Sequence, residues 1–543
     1  MNSWNESETM ATVQHSPGAR EADSTATTNI QHPGLKDADT SQWEAEFTAP
    51  TTPVKRPDVP TLLRTLRDEG PQERIAAVFE EHYIEAWFGL DPVELRSVLN
   101  AATEREVRTR PIVGYIRSLL RGETVPLLSD VRQNGVKTLR ASERGAVVAM
   151  AVLESRLRGE LSTAMQLAER LGADAPAANA LVDGSLGTAS FMSLQAGITR
   201  MLAGDFARAL ADLERVKWTA PPAALTFFVR DAHAKAALVH AIVGDPELAR
   251  RALASARQVQ RTNSWAEALV DATAQLAEVI IDRNADSTAL GQLLATGRTE
   301  IGEMWPLFIL SLAPTVLSGD AGAAHMLAAM EGAALPGSKS SQGLTGSAAA
   351  LVRAAQAAEA GHLSEARAAL AAADPDLPLT KLVQAGAALD SGMPGQALAI
   401  ALDVAAHTAG LRQLELWRLS ILHLGHRALG EEDAAQASLD QARPLAAGLG
   451  AIALPVSGSA RAQIQSLLHD VPLPTTAPTA LSLTPRELEV LVRLAAGISR
   501  REIAEQLFVS INTIKTQVSS LYRKLGVRGR GTLLAEAYRR GLI

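Results

Sequence analysis

Apolar and polar positions follow a helical period along most of the chain, and the pattern breaks in two places. Residues 1–58 carry only scattered apolar side chains among Ser, Thr, Glu, Asp and Pro. Such a segment cannot bury enough surface to offset the entropy of ordering it, so a disordered N-terminal tail is expected. From about Val59 the apolar positions recur every three or four residues and continue to about His469, which predicts a long helical domain over 59–470. Residues 471–480 hold Pro472, Pro474 and Pro478 among Thr and Ala, the composition of a semi-extended linker. The helical period then returns over residues 481–543 in a short, four-helix pattern. The expected fold class is therefore all-α.

Within the long domain a Gly is repeatedly followed five residues later by Ala. Gly159 and Ala164, Gly204 and Ala209, Gly244 and Ala249, Gly319 and Ala324, Gly361 and Ala366, Gly392 and Ala397, and Gly430 and Ala435 all fit. Asn284 with Ala289 fits if Asn stands for Gly. Successive starts lie 31 to 45 residues apart. A small residue that ends one helix, followed by an Ala that lets the next pack closely, predicts a helical-hairpin repeat. The segments resemble tetratricopeptide repeats, although their spacing is on average longer than ~34 residues.

The C-terminal segment can be built helix by helix. Thr484-Pro485-Arg486-Glu487 reads as a capping box with Pro at the first helical position, opening a helix with Leu488, Leu491, Val492 and Ala495 on one face. Ser499 to Glu502 is a second capping box, and Ile503, Ala504 and Leu507 follow as an inward face. Phe508 and Val509 make a tight turn, and Ser510 caps a third helix that stops before Gly526. On this helix Ile514, Val518, Leu521 and Leu525 cluster within about 60° and are expected to pack inward. Opposite lie Asn512, Thr516, Ser519, Ser520 and Arg523, with Lys515 on the flank. Two short helices, a turn and a longer helix are the helix-turn-helix arrangement, whose later helix enters the DNA major groove.

Charge supports that reading. Residues 481–543 hold 11 Lys and Arg against 5 Asp and Glu, a balance of +6, which leaves −13 on everything upstream. A basic module on an acidic body suits a polyanionic partner for the module alone. Apolar residues at 47%, aromatics at 4% and the absence of cysteine fit a helical protein and exclude disulfides and thiolate chemistry. The N-terminus has no apolar signal segment. The longest strongly apolar uncharged run, Met304 to Gly319, is 16 residues with Pro306 and Pro314 inside it, shorter than the ~20 residues a membrane span needs. It reads as a buried helix, and a cytoplasmic protein is expected.

No catalytic constellation emerges, so the expectation is a non-enzymatic protein without metal or cofactor. Gly332 to Ser340 places a Ser between Gly337 and Lys339 and so breaks the phosphate-loop pattern; it reads as an inter-repeat loop. His423 and His426 lie one turn apart without an evident third ligand.

From Leu483 to Val527 the sequence is similar throughout to the DNA-binding domain of LuxR-type transcription regulators. Shared features are the L-T-x-R-E-x-E-V-L opening, the G-x-S-x-x-E-I-A-x-x-L middle and the T-I-K-x-x-V-x-x-x-Y-x-K-L-G-V end. The resemblance implies that Lys515, Thr516 and Ser519 face bases and that Thr513, Gln517, Tyr522, Arg523 and Lys524 hold phosphates. Gln517 stands where His is common in the family. Arg528 and Arg530 are expected to add phosphate contacts from the following loop. The last helix, about Thr532 to Arg540, would offer Leu533, Leu534, Ala537 and Tyr538 for dimerisation while also closing the small core. Glu487 is expected to be a structural partner of basic residues.

Further upstream, the stretch that begins VFEEHYIEAWFGLDPVELRSVLNAATEREVRTRPIVGYIRSLLRGE at Val78, with its Arg108-Thr109-Arg110-Pro111 turn, resembles the segment after the ATPase unit in large LuxR-type regulators of the MalT kind. The implied partners are double-stranded DNA, a second copy of the chain on that DNA, RNA polymerase, and an unknown ligand or protein on the repeats, with no membrane. The rival readings are a repeat scaffold whose head only dimerises, and an enzyme housed in the helical body.

Overall fold

The computed structural model describes residues 58–123, 141–173, 187–218, 221–282, 302–470, 485–495, 498–507, 509–525, 527, 533 and 537. The expected tail at 1–58, apart from Asp58, lies outside the described residues, as do the linker 471–480 and the Asn284 repeat. Among the described residues there are 26 α-helices and no strand, so the all-α expectation holds. None of these helices is long and apolar enough to cross a membrane. Their apolar interior falls into two separate clusters, one spanning Val59 to Leu467 and one confined to Val490 to Ala537.

Among the described residues six helices come first: α1 Val59–Asp68, α2 Ile75–Glu81, α3 Tyr83–Gly89, α4 Pro92–Ala101, α5 Glu104–Arg108 and α6 Pro111–Leu120. Asp58 caps α1, Asp91 caps α4 and Thr103 caps α5, each side chain accepting from a first-turn amide. The Arg108–Pro111 turn is as expected: Thr109 ends α5, and Arg110 precedes Pro111 at the start of α6. Arg110 is tied by ion pairs to Glu80 and Glu106.

Hairpins follow, each with a three-residue connection centred on a predicted glycine. They are α7 Ala141–Leu157 with α8 Leu161–Ala173, α9 Thr188–Leu202 with α10 Phe206–Trp218, and α11 Phe227–Ile242 with α12 Pro246–Gln258. After α13 Glu267–Ile281 come α14 Trp305–Leu317 with α15 Ala321–Glu331, α16 Gly343–Glu359 with α17 Leu363–Leu370, and α18 Pro378–Asp390 with α19 Pro394–Asp403. The short α20 Ala405–Thr408 leads to α21 Arg412–Ala428 with α22 Glu432–Ala446, and α23 Gly458–Asp470 closes the body. The apolar run Met304–Gly319 is the buried helix α14, whose residues from Trp305 to Ala313 are all enclosed.

The turn geometry explains the glycines. Gly159, Gly204, Gly319, Gly361, Gly392 and Gly430 all have φ between 75° and 85°, in the left-handed region that costs other residues about 1–2 kcal/mol. At each, the following amide reaches back to close the preceding helix, as in Asp205 N–H to Arg200 O at 2.9 Å and Glu431 N–H to His426 O at 2.9 Å. Gly244 is different: its φ is ordinary, and it is required because a Cβ there would lie 2.6 Å from Nδ1 of His240. The paired alanines are buried as expected, except that Ala323 rather than Ala324 fills the site after Gly319.

The hairpin spacing does not say which turns are covered. Turns of the first half of the body meet helix starts of the second, pair by pair in the same order along the chain. Gly337 N–H donates to Leu157 O at 3.1 Å beside Gly159, and the Gly332–Ser340 loop is thus a docking element, held also by Trp305 Nε1–H to Pro336 O at 2.9 Å. A Cβ on Gly204 would lie 2.5 Å from Cδ1 of Leu377. Gln413 donates from its amide nitrogen to Ala241 O and Gly244 O and accepts from Ala453 N–H. By contrast, Gly319, Gly361, Gly392 and Gly430 have nothing within 4 Å of an added Cβ. The first-half turns are covered and the second-half turns are open.

Aromatic packing fixes the opening helices to the hairpins. Phe88 lies 5.0–5.8 Å from the rings of Phe191, Phe227, Phe228 and Trp265, and Trp265 Nε1–H donates to Trp87 O at 2.8 Å. Such ring pairs add about 0.5–1.5 kcal/mol each beyond the area they bury.

Candidate nucleic-acid interface

Three helices form the described part of the C-terminal head: α24 Pro485–Ala495, α25 Arg500–Gln506 and α26 Ile511–Leu525. The expected box at Ser499 is complete. Ser499 N–H donates to Glu502 Oε2 at 2.8 Å, and Glu502 N–H donates to Ser499 Oγ at 3.3 Å. Donation from the Ser499 backbone N–H to the carboxylate, with the Ser499 side chain second, pulls the Glu502 pKa below its ordinary value. At the next helix start Ser510 Oγ accepts from Thr513 N–H at 3.1 Å, and Ser510 O accepts from Ile514 N–H at 3.3 Å. The turn between them is pinned by Arg486, which donates to Leu507 O at 2.8 Å and pairs with Glu489 at 2.6 Å.

The inward faces of α25 and α26 are those the period predicts. Ile503, Ala504 and Leu507 are buried, and so are Ile514, Val518, Leu521 and Leu525. The inward face of α24 is displaced by one residue. Leu488 is 38% exposed, and Val492 and Ala495 are only half-buried, while Glu487, Val490, Leu491 and Leu494 are buried. Both sets fit the i, i+3, i+4, i+7 spacing of a helix face. The apolar Leu488 favoured the wrong one, because the structure puts the charged Glu487 on the core side.

Glu487 can be buried because it is satisfied. Ser520 Oγ–H donates to its Oε1 at 2.7 Å and Lys524 Nζ to its Oε2 at 2.6 Å. Ser520 is therefore half-buried and is not part of the outer face assigned to it from the sequence. The ammonium of Lys524, expected at a phosphate, is committed to Glu487 in this structure.

The remaining outer face of α26 presents Ile511, Asn512, Thr513, Lys515, Thr516, Ser519 and Arg523, all exposed. Thr516 Oγ1–H donates to Asn512 O at 3.0 Å and Ser519 Oγ–H to Lys515 O at 2.9 Å. Lys515 and Arg523 form no ion pair among the described residues. Gln517 is half-buried with its Oε1 enclosed and unbonded, and Tyr522 accepts a 3.4 Å contact from Arg500. Leu533 and Ala537 are fully enclosed in the head core. Arg528, Arg530, Leu534 and Tyr538 lie outside the described residues.

The other candidates of the sequence have ordinary partners. His423 Nδ1 bonds Ala435 O at 2.9 Å and His426 Nδ1 bonds Glu431 at 2.6 Å. Among the described residues no group of three or more His, Asp or Glu is placed to hold a metal ion.

Comparison with known proteins agrees with this geometry. The family described as bacterial regulatory proteins, luxR family, matches residues 481–537. The protein named "Probable transcriptional regulatory protein NarL" of Mycobacterium tuberculosis is 49% identical over 67 residues, 12% of this chain and 31% of its own length. LiaR of Bacillus subtilis is 42% identical over 62 residues, 11% of this chain and 29% of its own, and LnrK of the same organism is 48% identical over 50 residues, 9% and 23%. The chain thus spans less than a third of the length of these relatives. No solved structure matches it. With a completed capping box, a pinned turn and an exposed polar face on the following helix, residues 481–537 constitute a LuxR-family helix-turn-helix domain at the C-terminus of this chain.

Proposed function

We propose that this protein is a transcription regulator that binds duplex DNA through α26 and senses a ligand or a protein partner through its helical body. The observation that carries the reading is the exposed face of α26, small, polar and basic, on a helix anchored by four buried apolar residues. Small side chains at Thr516 and Ser519 let the backbone approach base edges, and Lys515 reaches guanine acceptors. Thr513, Gln517, Tyr522, Arg523, Arg528 and Arg530 serve the phosphates. Lys524 joins them only if Glu487 shares it.

The protein acts as a homodimer on DNA. Leu533 and Ala537 belong to the core of one head, which leaves Leu534 and Tyr538 of the expected dimer residues for the contact between heads. RNA polymerase is the downstream partner. The open turns at Gly319, Gly361, Gly392 and Gly430 supply the accessible edge of the body for the sensed molecule. Selection of genomic fragments by the full chain tests this reading. Recovery of a common motif supports it, and recovery of fragments without sequence preference contradicts it.

A further inference from the structure

The outer face of α26 holds a hydrogen-bonding group that the base-facing set above does not include. Asn512 is exposed on the second residue of the helix. At 100° per residue it shares an arc of roughly 100° with Lys515, Thr516 and Ser519. The hydroxyl hydrogens of Thr516 and Ser519 are donated to the carbonyls of Asn512 and Lys515, at 3.0 and 2.9 Å. In that state the two hydroxyls offer the groove acceptor lone pairs and, for Thr516, a methyl group. Lys515 offers donors only. Thr513 is occupied with Ser510, its hydroxyl 2.9 Å from that of the cap. The side-chain amide of Asn512 makes no hydrogen bond among the described residues. It is the group on this arc that presents a donor and an acceptor together.

That pairing matches one base edge. Adenine shows the N7 acceptor and the N6 donor side by side in the major groove, and a carboxamide meets both at once. Residues at the start of a recognition helix are the ones that reach base edges. Asn512 precedes Lys515 by about 4.5 Å of helix rise at 1.5 Å per residue, against about 3.4 Å per base-pair step. We infer that Asn512 is a specificity-determining residue that reads an adenine one or two base pairs from the guanine read by Lys515. This rests on the DNA-binding reading above and adds a base identity to it.

The test uses the full chain and a duplex obtained by selection from a random pool. Wild-type protein is expected to lose about 5- to 150-fold in affinity when the adenine is replaced by its deaza analogue lacking N7. Asn512→Ala should bind both duplexes equally, at the weaker level, and its own selected motif should lose the adenine while keeping the guanine. The exposed side chain makes the variant's folding safe, and an unchanged circular dichroism melt checks it. An Asn512→Ala variant that still selects the adenine and still senses the missing N7 overturns the assignment while leaving DNA binding intact. A wild-type chain that binds no duplex overturns both.

Discussion

Lys524 and Glu487 meet at 2.6 Å across the head, joining the last turn of α26 to the first turn of α24. Glu487 is 6% exposed and also receives Ser520, so this acidic side chain adds a polar tie to the apolar face that sets the roll of α26 about its axis. Orientation of the side chains proposed to face DNA depends on that roll. Glu487→Ala leaves Lys524 and Ser520 without their partner and is expected to destabilise the head by about 1–3 kcal/mol. All seven tryptophans precede residue 481, so tryptophan fluorescence does not report on the head. Hydrogen exchange of the α26 amides does, and unchanged protection there would refute the role assigned to Glu487.

Lys515 and Arg523 both lie exposed on α26 but are assigned different tasks. Lys515→Ala should weaken preferred sites by about 1–3 kcal/mol and flatten the preference, whereas Arg523→Ala should weaken all sequences alike. Competition between selected and random duplexes separates the two. Equal losses on both duplexes for both variants would contradict the division.

The covered and open turns of the body should respond differently to one extra methyl group. Gly361→Ala meets only the cost of its left-handed backbone, about 1–2 kcal/mol. Gly204→Ala meets the same cost and drives its Cβ into Leu377, adding about 1–3 kcal/mol. Denaturant unfolding followed by tryptophan fluorescence measures the difference. Equal destabilisation would mean that the two halves of the body do not dock at Gly204.

Two histidines of α11 give the body a pH dependence. Burial, assisted by the Lys217 charge, pushes His233 down to about 3 and His240 down to about 4, and the Nδ1 of each is enclosed without a partner. The unfolded chain protonates its histidines near pH 6.5, so between there and the folded values it holds more protons than the native state. Stability is therefore complete above about pH 6.5 and declines as the pH falls toward about 4. Unfolding midpoints measured over that range should fall, and His240→Leu should make the decline shallower. A decline unaffected by that variant would place the acid sensitivity elsewhere.

These details mark where the sequence stops being legible. Hairpins were readable because a left-handed turn needs glycine, and that need is local to Gly204 or Gly430. Whether such a turn is covered or open is not local: Gly204 meets Leu377 from far along the chain, and nothing near Gly204 records it. Gly244 shows the same limit, since its glycine answers to the ring of His240 and not to its own backbone. On α26 the inward face was plain because its four core residues are all apolar. On α24 the core side includes Glu487, and an apolar template passes over a carboxylate whose partners, Ser520 and Lys524, come from another helix. Apart from Ser520, the outer face of α26 was legible residue by residue, but the internal commitments of Ser520 and Lys524, and of the hydroxyls of Thr516 and Ser519, required coordinates.

Binding of the full chain to a selected duplex as salt is raised tests the central claim most directly. If α26 enters the major groove with basic side chains on the phosphates, log affinity falls linearly with log salt, losing roughly a thousandfold between about 50 and 200 mM for about six phosphate contacts. Arg523→Ala should reduce that slope by about one for each protomer bound. An affinity that does not change with salt, or no binding at the lowest salt, would contradict the account.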